Sequence, residues 1–180
     1  MISKISLAVV LVSAMIPSQK AMGQSASTAA SQIVTLQLEP VIQISSVTSG
    51  NVKLGFNNIN NYISGVTSGA QQFTVHSNKE YVVSVKTSAS SFSYSGNAYP
   101  TPFMPVDDIL FLAVTNNGTG GSVGHSFANF TSLSSTPKEL LLNCKNGGNK
   151  SFSINYKANP GPQFPAGDYS VGVIYTATQP

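Results

Sequence analysis

The chain has 180 residues, of which only 8% are charged, and it carries a formal net charge of +3. It contains no arginine and its lysines do not cluster, so it offers no basic patch of the kind that binds nucleic acid. The only cysteine is Cys144, which excludes an intramolecular disulfide. Serine, threonine, asparagine, glycine and proline are abundant, which is typical of a β protein with turns built from small polar residues.

The first 23 residues have the pattern of an export signal. Lys4 is followed by the apolar run "ISLAVVLVSAMI", Pro17 ends that run, and small residues lead up to Gly23. This pattern predicts a signal peptide over residues 1–23 that is cleaved near Gly23. The run is shorter than the roughly 20 residues that cross a bilayer, and no second such run follows, so we expect no stable membrane span in the mature chain. The alternative is a retained N-terminal anchor.

Cleavage would change the charge balance and set the location of the protein. Without Lys4 and Lys20, seven lysines face six acidic residues, for a net charge of +1. We expect "QSASTAAS", residues 24–31, to be a flexible lead-in, and residues 32–180 to form a single domain. The mature protein is predicted to be exported.

Alternation of apolar and polar residues begins at the start of that domain. In "IVTLQLEPVIQIS" the apolar residues fall on one face of an extended chain. They are Val34, Leu36, Leu38, Ile42 and Ile44. The stretch predicts one long half-buried strand, or two strands broken at Pro40, because proline cannot donate to a β-ladder.

The same period of two continues along the chain, interrupted by stretches rich in glycine, asparagine and proline. The predicted strands are "VKLGF" (Val52, Leu54, Phe56), "QFTVH", "EYVVSVK", "FSYS", "DDILFLAVT", "ELLLNC" and "SFSINYK". Eight to ten short strands predict an all-β fold, a two-sheet antiparallel β-sandwich with immunoglobulin-like or jelly-roll topology.

The chain closes on "FPAGDYSVGVIYTATQP", another alternating stretch. We expect a closing strand over residues 168–179 with one face directed to the core. The residues of that face are Tyr169, Val171, Val173 and Tyr175. The pattern does not decide whether this strand pairs with the first strand of its own chain or with a strand of a neighbour.

Residues that could carry catalysis are sparse. Asp107 and Asp108 are adjacent, so at the mouth of a strand they point to opposite faces and cannot act as an acid/base pair. His76 and His125 lack metal-ligand spacing, and "NGGNKS" lacks the glycine and the helix of a phosphate-binding loop. We therefore predict no catalytic, cofactor or metal site, and no enzymatic activity.

Two further features keep alternatives open. Cys144 ends an apolar run and is predicted to be a packed thiol, although an intermolecular or catalytic role is the alternative. Tyr94 and Tyr99, in "SFSYSGNAYPTPFMP", are candidates for stacking on a carbohydrate, the alternative being packing in the core or a loop. These tyrosines support a second hypothesis, a carbohydrate-binding or adhesive β-sandwich module.

Two short motifs carry a family resemblance. The chain has Val52-Lys53-Leu54-Gly55-Phe56 after the first alternating strand, and Ala166-Gly167-Asp168-Tyr169 leading to Tyr175 at its end. In this layout it resembles exported bacterial β-sandwich proteins related to fimbrial subunits, to spore coat U-type proteins and to the domain of unknown function numbered 4402. The resemblance implies a secreted structural subunit, located in the periplasm or on the bacterial cell surface, that assembles by β-strand addition.

The resemblance also implies partners. Subunits of the chaperone–usher type have an incomplete sandwich that a strand from the next subunit fills, so the partners would be the chain itself or related subunits, and a periplasmic chaperone. Residues 32–44 have the pattern of a donor strand, with the five apolar residues of that stretch filling pockets. The alternative is that they form the first strand of a complete domain.

Overall fold

The computed structural model describes residues 28–48, 50–124 and 126–180. The predicted signal peptide, the beginning of the predicted lead-in and His125 lie outside the described residues. The chain divides into two compact units, residues 1–37 and residues 38–180. In the first unit, the described residues 28–37 contain no helix or strand and all are exposed. The second unit contains all the strands among the described residues.

That second unit is built from short strands and one short helix. The strands are β1 (Ile42–Ser46), β2 (Val66–Thr67), β3 (Gln71–Ser77), β4 (Tyr81–Thr87), β5 (Ser93–Ser95), β6 (Leu110–Asn117), β7 (Ser122–Val123), β8 (Thr131–Ser132), β9 (Lys138–Cys144), β10 (Gly147–Ala158), β11 (Asp168–Ser170) and β12 (Val173–Thr178), and the helix is α1 (Ile59–Ser64).

The strands form two main sheets in which every pairing is antiparallel. The first sheet has the order β1-β3-β10-β6-β8, with β2 beside the end of β10. The second sheet has the order β12-β4-β9-β7. A separate two-stranded ribbon joins β11 to β5. The predicted all-β, two-sheet antiparallel sandwich is therefore confirmed.

Alternation along the strands explains why the sheets pack face to face. In β4, Tyr81, Val83 and Val85 are buried while the residues between them are partly exposed. In β10, Phe152 and Ile154 are fully buried in the same way, and they belong to one core cluster with the β4 residues. Removing each such side chain from water stabilises the fold by about 1.5–3 kcal/mol.

Two predicted strands differ in the structure. The predicted strand over residues 34–44, continuous or broken at Pro40, forms only from Ile42 onward, so the part before Pro40 is wrong. Pro40 has no N–H to donate to a ladder. The expected strand over residues 52–56 is irregular in the structure, although Leu54 and Phe56 do pack against the core. Periodicity predicted the burial of Leu54 and Phe56, whereas Val52, on the same predicted face, is exposed. A strand also needs a hydrogen-bonding partner.

The predicted closing strand is divided in two at Gly172. There the backbone pairs with Ser88: Ser88 N–H donates to Gly172 O, and Gly172 N–H donates to Ser88 Oγ, at 2.8 and 3.1 Å. Val171, Val173 and Tyr175 pack against the core, as expected. Tyr169 belongs to the ribbon with β5 and packs against Tyr94 instead of joining the core cluster.

Candidate functional site

The last strand, β12, is an edge of its sheet. It pairs with β4 along one side, from Val173↔Thr87 to Thr178↔Val82. Along its other side, no strand among the described residues is hydrogen-bonded to it. Its sequence, "VIYTAT", has neither charge nor proline, and Ile174 is 42% exposed. An edge with neither lysine nor proline to block pairing is a template for another strand.

The two sheets are joined by a side-chain contact at the C-terminal end of β12. β1, the neighbouring edge of the first sheet, pairs with β3 and not with β12. The Gln179 side chain bridges the two sheets, because its Nε2 donates to Val41 O at 3.0 Å and to Ser77 Oγ at 2.9 Å. The opposite end of β12 begins at Val173.

A cleft of about 900 Å³ lies at that opposite end. One group of lining residues belongs to the irregular segment 50–56 and another to residues 167–173, the stretch that leads into β12. Leu110, Tyr156 and Ala158, which belong to the core, also line it. The cleft thus gives access to the apolar interior of the sandwich beside an open strand edge.

Five apolar side chains are exposed within nine residues near the start of the described chain. They are Ile33 (92% exposed), Val34 (78%), Leu36 (81%), Leu38 (83%) and Val41 (62%). We call residues 33–41 the N-terminal segment. Clusters of exposed apolar residues are uncommon on proteins that act alone and mark interaction sites. Of the predicted pocket-filling residues, Val34, Leu36 and Leu38 are thus exposed, whereas Ile42 and Ile44 lie in β1 and pack against the core.

Tyr94 and Tyr99 occupy different environments. The Tyr94 hydroxyl donates to Ala166 O at 2.9 Å and accepts from the Ala98 N–H at 3.1 Å. Its ring contacts Tyr169 at a centroid distance of 4.9 Å and covers Gly167, where a Cβ would collide with it. Tyr94 thereby holds the ribbon together. Tyr99 is 98% exposed, and it forms no ring contact with Tyr94.

A second concave site was missed in the sequence. The composition of residues 57–69 predicts a loop, but the structure has the helix α1 there. It brings Tyr62 to Phe56 at a centroid distance of 5.3 Å. A pocket of about 400 Å³ opens beside these rings. We call it the aromatic pocket; its lining residues are Phe56, Asn57, Asn58, Ile59, Tyr62, Pro162 and Phe164. The signal that could have found it is the pair of aromatic residues at Phe56 and Tyr62.

The polar residues considered for catalysis have structural contacts. Ser132 Oγ donates a hydrogen bond to Asp107 Oδ1 at 2.8 Å and accepts one from the Asp108 N–H at 2.9 Å. His76 Nδ1 accepts from the Asn149 N–H at 3.3 Å. Within residues 28–48, 50–124 and 126–180, no group of three or more His, Cys, Asp or Glu side chains could hold a metal ion.

The buried titratable groups are held in their neutral forms. Burial, above all, raises the pKa of Tyr81, and the nearby Cys144 adds to the effect. Burial likewise raises the pKa of the Cys144 thiol, only partly offset by hydrogen bonding from Thr119. A thiol with a raised pKa inside the core is a poor nucleophile, which agrees with the prediction of a packed cysteine.

Comparison of the chain with known protein families and with curated proteins finds no match. In the part of the chain that the structure describes, no helix is long and apolar enough to cross a membrane. The interpretation of function therefore rests on the open edge, the cleft and the exposed apolar residues.

Proposed function

We propose that the protein is a non-catalytic structural subunit, exported to the bacterial cell surface, that assembles by β-strand addition. The observation that carries the proposal is that one chain has both an unprotected strand edge at β12 and an exposed, alternating apolar segment over residues 33–41. The N-terminal segment of one copy would add to the β12 edge of the next. The resemblance to fimbrial and coat-like subunits supports the same mode of assembly.

The N-terminal segment has the geometry that a donor strand requires. Residues 33–38, which precede the part of the segment bonded to Asn78 and Gln179, span roughly 20 Å in extended conformation, about the length of the six residues of β12. Val34, Leu36 and Leu38 alternate, so in a strand they would project from one face. Backbone hydrogen bonds to β12 would provide affinity, and these side chains would provide specificity.

The cleft offers these side chains an apolar environment. Val171 and Val173 line the cleft from the stretch that leads into β12, and Leu54 and Phe56 line it from the irregular segment 50–56. All four are only partly buried and pack against the core, so a strand placed here would remove more of their surface from water. Each 100 Å² of apolar surface buried contributes about 2.5 kcal/mol.

The open edge of β12 would also determine which proteins can act as partners. A related subunit with a similar segment could replace the identical copy, and a periplasmic chaperone could cover the edge before assembly by lending a strand of its own. An uncovered apolar edge is prone to aggregation, so protection during export would be useful. In this proposal the protein needs no cofactor and no nucleic acid.

The direct test is a mixed disulfide between two single-cysteine variants. Leu36→Cys protein is mixed with Thr176→Cys protein under mild oxidation; the native Cys144 is buried and should not react. We expect a cross-linked heterodimer on a non-reducing gel. Mixing Leu36→Cys with Thr136→Cys, whose site is an exposed loop outside β12, is the matched control and should give far less product.

Association in solution provides the second readout. Light scattering after size-exclusion chromatography should show assembly of the wild-type chain that Leu36→Asp abolishes and Thr35→Asp leaves largely intact, because these neighbours project to opposite faces. Thr176→Lys should weaken assembly from the acceptor side. A chain that stays monomeric at every concentration and forms no mixed disulfide would refute the proposal.

A further inference from the structure

We propose that the aromatic pocket is a binding site for the terminal unit of a neutral oligosaccharide. The proposal does not depend on strand addition, because the aromatic pocket lies outside β12 and outside the N-terminal segment, and of its seven lining residues only Phe56 also lines the cleft. It also differs from the sequence-based hypothesis, which placed carbohydrate binding at Tyr94 and Tyr99.

The pocket is framed by aromatic rings that the fold holds in place. Phe56 and Tyr62 are tilted by 51° to each other, and Phe56 packs against the core. Phe164, also in the lining, contacts the edge of Tyr169 at a centroid distance of 6.4 Å, and Tyr169 packs in turn on Tyr94. The rings are therefore positioned before any ligand arrives, which lowers the entropic cost of binding.

Side chains with unused hydrogen-bonding groups lie beside these rings. Among the described residues, neither the Asn57 amide nor the Tyr62 hydroxyl forms a hydrogen bond with another group. Asn58 Oδ1 accepts from the Asn61 N–H at 3.1 Å, which leaves its amide N–H groups available. Together these groups supply both donors and acceptors, which matches the hydroxyl groups of a sugar.

The absence of charge in the lining selects the class of ligand. None of the seven lining residues is ionisable as an acid or a base except the weakly acidic Tyr62, so the pocket has no cation to pair with a phosphate or a carboxylate. A pyranose presents an apolar C–H face to a ring and hydroxyls to amides, as this lining requires. The volume of about 400 Å³ lies within the usual range for small-ligand sites.

The test uses the full chain and a defined panel of probes: maltohexaose, cellohexaose, chitohexaose and mannohexaose. Saturation-transfer NMR should show contact with at least one probe, strongest at one end of the oligosaccharide. Titration monitored by protein amide signals should shift those of Asn57 and Tyr62. We expect Asn57→Ala and Tyr62→Ala each to weaken binding by about tenfold or more.

Three controls distinguish this site from the alternatives. Tyr99→Ala removes an exposed aromatic ring that does not line the pocket and should leave binding unchanged. Asn57→Ala alters an exposed side chain, so its effect cannot come from unfolding even if Tyr62→Ala is destabilised. Phosphatidylcholine vesicles test whether exposed Ile59 and Ile63 bind lipid instead.

Several results would overturn the proposal. One is the failure of every oligosaccharide in the panel to bind at millimolar concentration. Another is binding that Tyr99→Ala abolishes while Asn57→Ala does not. Vesicle binding that depends on Ile59, without any sugar binding, would do the same. Loss of assembly in the disulfide experiment, by contrast, would leave this site untouched.

Discussion

The hydroxyl groups of Tyr156 and Tyr175 lie 2.7 Å apart and form a hydrogen bond between the two sheets. Tyr156 belongs to β10 in the first sheet and Tyr175 to β12 in the second. Tyr175 also packs on Phe73 of β3, at a centroid distance of 4.4 Å. This contact attaches the open edge strand to the centre of the opposite sheet.

Removing one partner of this bond should destabilise the fold. Tyr175→Phe leaves the buried Tyr156 hydroxyl without its partner, and we expect the free energy of unfolding to fall by about 1–3 kcal/mol. Urea denaturation measures the change. Tyr99→Phe, at an exposed ring, is the control and should have no measurable effect. An unchanged midpoint for Tyr175→Phe would show that the bond contributes nothing to stability.

Tyr81 should behave in the opposite way. It is fully buried, and among the described residues its hydroxyl has no hydrogen-bond partner. Tyr81→Phe keeps the ring and removes an unpaired polar group, so we expect unchanged or increased stability. Thermal and urea unfolding measure this. A free energy of unfolding that falls by more than about 1 kcal/mol in Tyr81→Phe would show that the Tyr81 hydroxyl is hydrogen-bonded in the native protein.

Alkaline pH should unfold the protein. Burial raises the pKa of Tyr81, of Tyr156 and of Tyr175 above the ordinary tyrosine value near 10. Above that pH the unfolded chain loses protons that the native state retains, so stability falls as pH rises. Below about pH 9 these tyrosines should give no pH dependence.

Denaturant titrations from pH 8 to pH 11 check this expectation, with tyrosinate absorbance as a parallel readout. Tyr81→Phe removes one of the shifted groups and should reduce the slope of stability against pH. Tyr99→Phe should leave the slope as it is. A stability that is constant over the whole range would contradict the linkage.

The Cys144 thiol should be unreactive in the native protein. It is fully buried, and burial raises its pKa, so both access and thiolate formation are suppressed. A coloured disulfide reagent should detect no thiol under native conditions and one thiol per chain in concentrated guanidinium chloride. Rapid labelling of Cys144 in the native protein would contradict this expectation and show that the C-terminal end of β9 opens readily.

Gly124 should not tolerate a methyl group. Its N–H donates to Leu140 O at 2.8 Å, and a Cβ would collide with the backbone carbonyl of Glu139. Gly124→Ala therefore forces β9 to shift, and we expect a cost of about 1–3 kcal/mol. Gly69→Ala is the matched control, since nothing lies within 4 Å of its Cβ position. Equal stability of the two variants would contradict this reasoning.

The sequence alone determined the class of fold and much of the core. Alternation in β3, β4, β9 and β10 predicted strands that the structure confirms, because burial of every second side chain between two sheets imposes a period of two. The same logic predicted the burial of Val171, Val173 and Tyr175. It also detected the apolar residues of the N-terminal segment, although it could not show that Val34 and Leu36 are exposed.

Only the tertiary structure decided which segments find partners. The alternation in residues 52–56 is that of a strand, yet no ladder forms there, and the closing stretch is divided at Gly172 because Ser88 pairs with it. The open side of β12 and the meeting of Phe56 with Phe164 at one pocket depend on contacts between residues far apart in the chain. Local periodicity fixes which face of a segment is apolar, whereas pairing and pocket formation depend on the arrangement of all the strands together.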